Sequence, residues 1–146
     1  MSRRLLLGAL TLALFAGPAA APAAAQEDLG RMLESIAILW SRGDATALAA
    51  YTAEIGLDLE LHGETLGRMS GRKLVASLRH LFSDQETVSV RARMTSRVAG
   101  ADETAFGELT WEVRPRGSAV PTRSTVFLGL VREGTGWRES QIRVLR

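Results

Sequence analysis

The apolar positions change their period three times along the chain, and each change marks a new element. Leu29, Met32, Leu33, Ile36, Ala37 and Trp40 recur at three- and four-residue spacing. That spacing predicts a helix over about 27–41 with one apolar stripe. Gly43 stops it and Asp44 is a ready N-cap for a short second helix, on which Leu48 and Tyr51 share a face. From Ile55 the period becomes two. Ile55, Leu57, Leu59 and Leu61 alternate with Gly56, Asp58, Glu60 and His62, which predicts a half-buried strand with one polar face. Gly63 allows a turn, and 64–67 returns as a short strand. Ser70 is positioned to cap a third helix, with Leu74, Val75, Leu78, Leu81 and Phe82 inward and Arg72, Lys73 and Arg79 toward water.

After Asp84 the pattern is that of an antiparallel meander. Over 87–98, Val88, Val90, Ala92, Met94 and Val98 alternate with Ser89, Arg91, Arg93, Thr95 and Arg97. Residues 99–102 read as a turn. In the next strand Ala105, Gly107, Leu109, Trp111 and Val113 oppose Phe106, Glu108, Thr110 and Glu112. Residues 115–121 are a looser connection. The strand over 122–132 is apolar on both faces, which suggests a central place in the sheet or a covered outer face. Residues 133–136 turn the chain and 137–145 close the sheet. Segregated helices and an antiparallel sheet give an α+β fold, with three helices packed on a strongly curved, mainly antiparallel sheet.

The N-terminus changes what the remainder means. Arg3 and Arg4 precede eleven apolar residues, Leu5 to Phe15, then Gly17-Pro18 and the small residues Ala23-Ala24-Ala25 before Gln26. This is the layout of a secretory signal peptide, 1–25, followed by a single domain, 26–146. Eleven apolar residues fall short of the roughly 20 that a spanning helix needs, so no membrane anchor is expected to remain after cleavage. The expected location is periplasmic or secreted. The chain has no cysteine, so neither a disulfide nor a lipid-modified cysteine can form.

Removing Arg3 and Arg4 leaves sixteen basic and sixteen acidic residues, a net charge of zero. An asymmetry survives: residues 26–67 hold eight acids and two bases, and residues 68–146 hold fourteen bases and eight acids. Mutual neutralisation of the two halves on folding is the expected outcome. Few aromatics and export argue against nucleic acid as a partner.

The segments "LWSRGD" and "LAAYT", the alternating strand after them, "GETLGRMSGRKLVASLRHLF", and the closing "GLVREGTGWRESQIRVL" with its Gly-Trp resemble, in that order and spacing, the nuclear transport factor 2-like superfamily. The chain is also similar to a small exported bacterial subgroup of it with no established activity. The resemblance covers nearly all of 26–146. It implies a cone of curved sheet and helices with a pocket in its mouth, on which isomerases, dehydratases, hydrolases and noncatalytic members have been built. The fold therefore does not fix the function.

Within that frame the expected pocket residues are Trp40, Tyr51, Trp111 and Glu139. In "GWRESQIRV" the position two after the tryptophan is usually apolar in the superfamily, and here it is Glu139. Turned into the cone, Glu139 would have a raised pKa and be a candidate general acid or base, with Tyr51 as its partner. Ile142 and Val144 take the opposite parity, which favours a surface position for Glu139. Tyr51 is expected mainly to pack. Ketosteroid isomerase-like members of the superfamily pair a tyrosine and a protonated aspartate with a carboxylate base. No aspartate here has the matching inward parity: Asp58 faces outward, and Asp84 and Asp102 lie in connections.

Asp58, Glu60, His62 and Glu64 read as a solvated strand face rather than a metal site, and no cofactor is expected. His80 reads as a structural residue at a helix end. Glu108 and Glu112 are expected to pair with Arg91, Arg93 or Arg123 across strands, the alternative being an arginine cluster that reads an anionic ligand. No nucleophile elbow, phosphate loop, HExxH or CxxC is present. The leading expectation is an exported noncatalytic domain that binds a small apolar or anionic ligand or a protein partner. An isomerase- or dehydratase-type enzyme using Glu139 and Tyr51 is the alternative, and a homodimer through the sheet is a third.

Overall fold

The structure is a computed structural model and describes residues 20–98 and 104–146. The body of the expected signal peptide and the turn at 99–102, with Asp102, lie outside the described residues. Helix α1 (Ala20–Arg42) begins earlier than the periodicity predicts. Its buried stripe is the expected one: Leu29, Met32, Leu33, Ile36, Ala37 and Trp40. Its end is a Schellman turn. Gly43 has φ 64°, its N–H donates to the Trp40 carbonyl at 3.0 Å, and the Asp44 N–H donates to Leu39 at 3.0 Å. Asp44 then caps α2 (Ala45–Ala49), its Oδ1 accepting from the Ala47 N–H at 3.0 Å.

Strands β1 (Leu57–Leu61) and β2 (Glu64–Met69) form a hairpin. His62 and Gly63 both have positive φ, 53° and 88°, as a two-residue hairpin turn of the right twist requires. His62 thus belongs to the turn and not to the polar strand face. Ile55 also departs from expectation: it precedes β1 and is 67% exposed. In α3 (Gly71–Ser83), Leu74, Leu78 and Leu81 are buried. Ser70 occupies the cap position, but its hydroxyl makes no capping bond.

Four long strands follow: β3 (Gln85–Arg97), β4 (Thr104–Pro115), β5 (Thr122–Glu133) and β6 (Gly136–Leu145). The sheet order is β2-β1-β6-β5-β4-β3, with only the β1–β6 contact parallel. The apolar β5 is central, as its two-sided pattern implies. This is the expected α+β architecture: helices lie against one face of a curved, mainly antiparallel sheet. The inner face of β4 (Ala105, Gly107, Leu109, Trp111, Val113) is buried throughout. Trp40, Phe82 and Trp111 meet edge to face with centroids 5.3–6.1 Å apart and join α1, α3 and β4. Where α1 crosses β4, the Leu33 Cδ1 lies 2.6 Å from where a Gly107 Cβ would stand. An alanine there would force Leu33 to move.

Strand β3 departs from simple alternation. Its register with β4 shifts between Thr87 and Ser89 and again between Ala92 and Met94. Thr87, not Val88, stands opposite inward Val113, and its hydroxyl accepts from Trp111 Nε1 at 3.0 Å. Val88 is left 44% exposed. Each bulge adds one unpaired residue and resets which side chains point inward.

Candidate functional site

Glu139 is fully buried, which overturns the expectation of a surface position. The cause is a bulge in β6: Gly129 pairs with Gln141 and Leu130 with Glu139, so Ser140 has no partner. Trp137 and Glu139 before the bulge, and Ile142 and Val144 after it, therefore all face inward. The sequence held one signal of this. Trp137 lies on the opposite parity to Ile142 and Val144, and one extra residue between them lets all three be buried.

Glu139 is held by its backbone. Its N–H donates to the Tyr51 carbonyl at 2.8 Å, and its carbonyl accepts from the Ala53 N–H at 2.8 Å. Thr52 and Glu139 thus form a parallel bridge and project toward the same face. The carboxylate is a different matter. Neither of its oxygens has a hydrogen-bond partner among the described residues, and neither has the buried Thr52 Oγ1. Burial alone pushes the Glu139 pKa up to about 8. At neutral pH the group is thus mainly a neutral acid.

The expected partnership with Tyr51 is not formed through side chains. Tyr51 is half-buried and touches Glu139 through its carbonyl, while its hydroxyl makes no bond to the carboxylate. Trp40 and Trp111 are core residues packed against one another. Trp137 is buried as well, with the Arg132 guanidinium 5.6 Å above its ring. The buried indole N–H groups of Trp40 and Trp137 are without partners among the described residues.

The open clefts lie elsewhere. One of about 480 Å³ sits by the α1–α2 corner and includes Arg79, Phe82 and Arg116. One of about 470 Å³ lies on the outer sheet face with Arg91, Arg93 and Arg123. A third, of about 350 Å³, is framed by Phe106 and Phe127. None of the three is lined by Trp40, Tyr51, Trp111 or Glu139.

The acids of β1 are engaged by arginines. Asp58 pairs with Arg68 at 2.8 Å, and Glu60 with Arg143 at 2.9 Å. Among the described residues, no group of three or more histidine, aspartate or glutamate side chains is placed to hold a metal ion. His80 lies 3.6 Å from Asp84 at the end of α3. The expected pairs of Glu108 and Glu112 with Arg91, Arg93 or Arg123 are not formed among the described residues. The Glu112 carboxylate instead accepts the Ser89 hydroxyl at 3.3 Å. Among the described residues no helix is long and apolar enough to cross a membrane.

No protein-family model matches the chain, and no curated protein is similar to it in sequence. Solved structures share its fold. A ketosteroid isomerase-like protein from Erwinia carotovora atroseptica superposes with a TM-score of 0.66 at 14% identity, covering 82% of this chain and 94% of that one. A domain of unknown function with a cystatin-like fold from Nostoc punctiforme gives 0.61 at 18% identity, covering 84% and 77%. An NTF-2 like protein of unknown function from Shewanella oneidensis gives 0.60 at 12% identity, covering 82% and 98%. The chain has the cystatin-like, nuclear transport factor 2-like fold. At these identities the likeness is one of fold.

Proposed function

We propose that the chain is a noncatalytic binding domain, exported and freed of residues 1–25, that works through the outer face of its sheet. One observation carries this reading. Of the four residues expected to line a pocket, Trp40, Trp111 and Glu139 are fully buried and Tyr51 is half-buried, and none of the four lines any of the three clefts described above. A neutral buried acid suits general acid chemistry, but a substrate must come within about 3 Å of it, and none of these three clefts among the described residues leads to it. The outer face is where recognition groups stand exposed, both apolar and charged.

The test is entry of a small apolar probe. Titration of the protein with indole, followed by the indole N–H signals of Trp40, Trp111 and Trp137, is expected to leave all three in place. A saturable shift at Trp137 together with the Glu139 amide would overturn the reading and restore the enzyme alternative.

A homodimer through the sheet is a second reading, compatible with the first. Phe106 is 52% exposed and Phe127 38% exposed, and both frame the same shallow cleft over β4 and β5. Exposed aromatics that line one cleft suit an interface. Light scattering at high concentration tests this: a dimer that Phe106→Ser with Phe127→Ser converts to monomer supports it, and a monomeric parent protein removes it.

A further inference from the structure

The basic excess of residues 68–146 is neutralised unevenly across the sheet: on β3–β4, Arg114 meets Glu86 at 3.9 Å, but the arginines further along the outer face are not paired in this way among the described residues. On the β1 side, Arg68 and Arg143 have Asp58 and Glu60. On the β3–β5 side, the side chains of Arg91, Arg93 and Arg123 make no hydrogen bond and no ion pair among the described residues. Their neighbour Glu112 stands between Ser89 and Arg123 in register, yet its one side-chain bond is to Ser89. The second bulge of β3 leaves Arg93 unpaired in the ladder, so consecutive inward and outward alternation breaks there. Arg91 and Arg93, two residues apart on β3, line the same cleft as Arg123, together with Ser89, Thr110 and Glu112. Its volume of about 470 Å³ falls in the range of roughly 300–1,000 Å³ usual for small-molecule sites.

We propose that this cleft binds a small multivalent oxyanion, a polycarboxylate or polyphosphate with two or more negative charges, held by Arg91, Arg93 and Arg123. Three guanidinium groups against one carboxylate leave an excess of two positive charges at the site. Planar guanidinium forks match carboxylate and phosphate oxygens in pairs. Like charges gathered on one face repel each other, and an anion between them relieves that repulsion. The Thr110 hydroxyl adds a neutral donor at the centre of the site. This inference goes beyond the outer-face reading above and needs no partner at the Phe106–Phe127 patch.

The experiment is an amide chemical-shift titration of the protein with citrate and, separately, with pyrophosphate at low ionic strength. Saturable shifts confined to Ser89, Arg91, Arg93, Thr110 and Arg123 are expected, weakening as salt is added. Arg91→Ala with Arg123→Ala is expected to weaken binding by about tenfold or more, since each lost fork removes a charge-assisted pair. Glu112→Gln is expected to tighten it about threefold, by removing the one opposing charge. Spectra that coincide with the parent protein outside the cleft certify that the variants fold. Shifts that do not saturate, affinity unchanged in the double variant, or binding of long heparin chains with none of either small anion would overturn the proposal. Saturation by only one of the two anions upholds it and assigns the carboxylate or the phosphate source.

Discussion

Two regions of this molecule hold charge-bearing groups without a partner among the described residues, and they do so at opposite cost. Glu139 lies inside the sheet with both carboxylate oxygens unbonded among the described residues. Arg91, Arg93 and Arg123 stand together on the outer face, half a sheet away, around an open cleft. Water solvates the arginines, so their lack of partners costs little and leaves them available to a ligand. Nothing solvates Glu139, so its ionised form is expensive and its neutral form is favoured. The contrast separates two meanings of an unpaired group. Outside, it is a capacity for recognition. Inside, it is a stability liability that pH controls.

The largest expected effect breaks that contrast from the inside. Glu139 has a folded-state pKa of about 8 against an ordinary value of 4.5. An acid raised in this way binds more protons in the folded protein than in the unfolded chain between those two values. Its stabilising neutral form is fully present below pH 4.5, and the benefit is lost as pH rises through about 8. The loss is on the order of 5 kcal/mol across that window. Urea unfolding at pH 5 and pH 9 checks it. Glu139→Leu, which keeps the volume and removes the charge, is expected to flatten this component and to stabilise the protein most at pH 9. A wild-type profile that does not fall toward pH 9 relative to Glu139→Leu would show that the carboxylate finds solvent.

Next in size is the place where α1 rests on the sheet. Gly107→Ala puts a methyl group 2.6 Å from the Leu33 Cδ1. Leu33 is itself buried in the core and has little room to turn. Overpacking of this kind costs about 1–3 kcal/mol. On the outer face at Gly129, the nearest atom to an added methyl is the Gln141 Cβ at 3.0 Å, a milder overlap than at Gly107. Gly129→Ala is therefore expected to cost less than Gly107→Ala in the same unfolding measurement. Equal costs would mean that the inner face is no more tightly packed than the outer one.

How far the sequence could be read depended on regularity. Strand β4 carries no bulge relative to β5, and its alternation from Ala105 to Val113 assigned every inward residue correctly. Strands β3 and β6 each contain bulges, and there parity failed in both directions: Val88 went out and Glu139 came in. A bulge is a relation between two strands, so one strand's pattern cannot reveal it. The junction of α1 and α2 was legible because it is local, whereas the start of α1 and the bond expected of Ser70 were not. Gly43 and Asp44 make their bonds within five residues. The ion pairs were not legible, because register decides them. Glu60 meets Arg143 across a parallel contact between distant strands, while Glu112, with Arg123 opposite, turns to Ser89. The unusual glutamate after Trp137 was visible as a residue, but its direction depended on Ser140.

The smallest expected effect compares arginines within the outer face. Arg143 is bonded to Glu60 through two nitrogens, and the glutamate side chain is 22% exposed. Arg143→Met keeps most of the apolar stem and removes the pair, so it is expected to cost about 0.5 kcal/mol after allowance for solvent screening. Arg123→Met removes a charge that has no partner among the described residues and lies near two others of the same sign. It is expected to leave stability unchanged, or to raise it slightly at low ionic strength, where repulsion is least screened. Salt should therefore act with opposite sign on the two variants: it narrows the Arg143→Met deficit and erases any Arg123→Met gain. Urea midpoints in low and high salt check this. A stability loss for Arg123→Met equal to that of Arg143→Met would mean that Arg123 has an internal partner, and the outer cleft would then be a folded ion-pair network instead of a vacant arginine cluster.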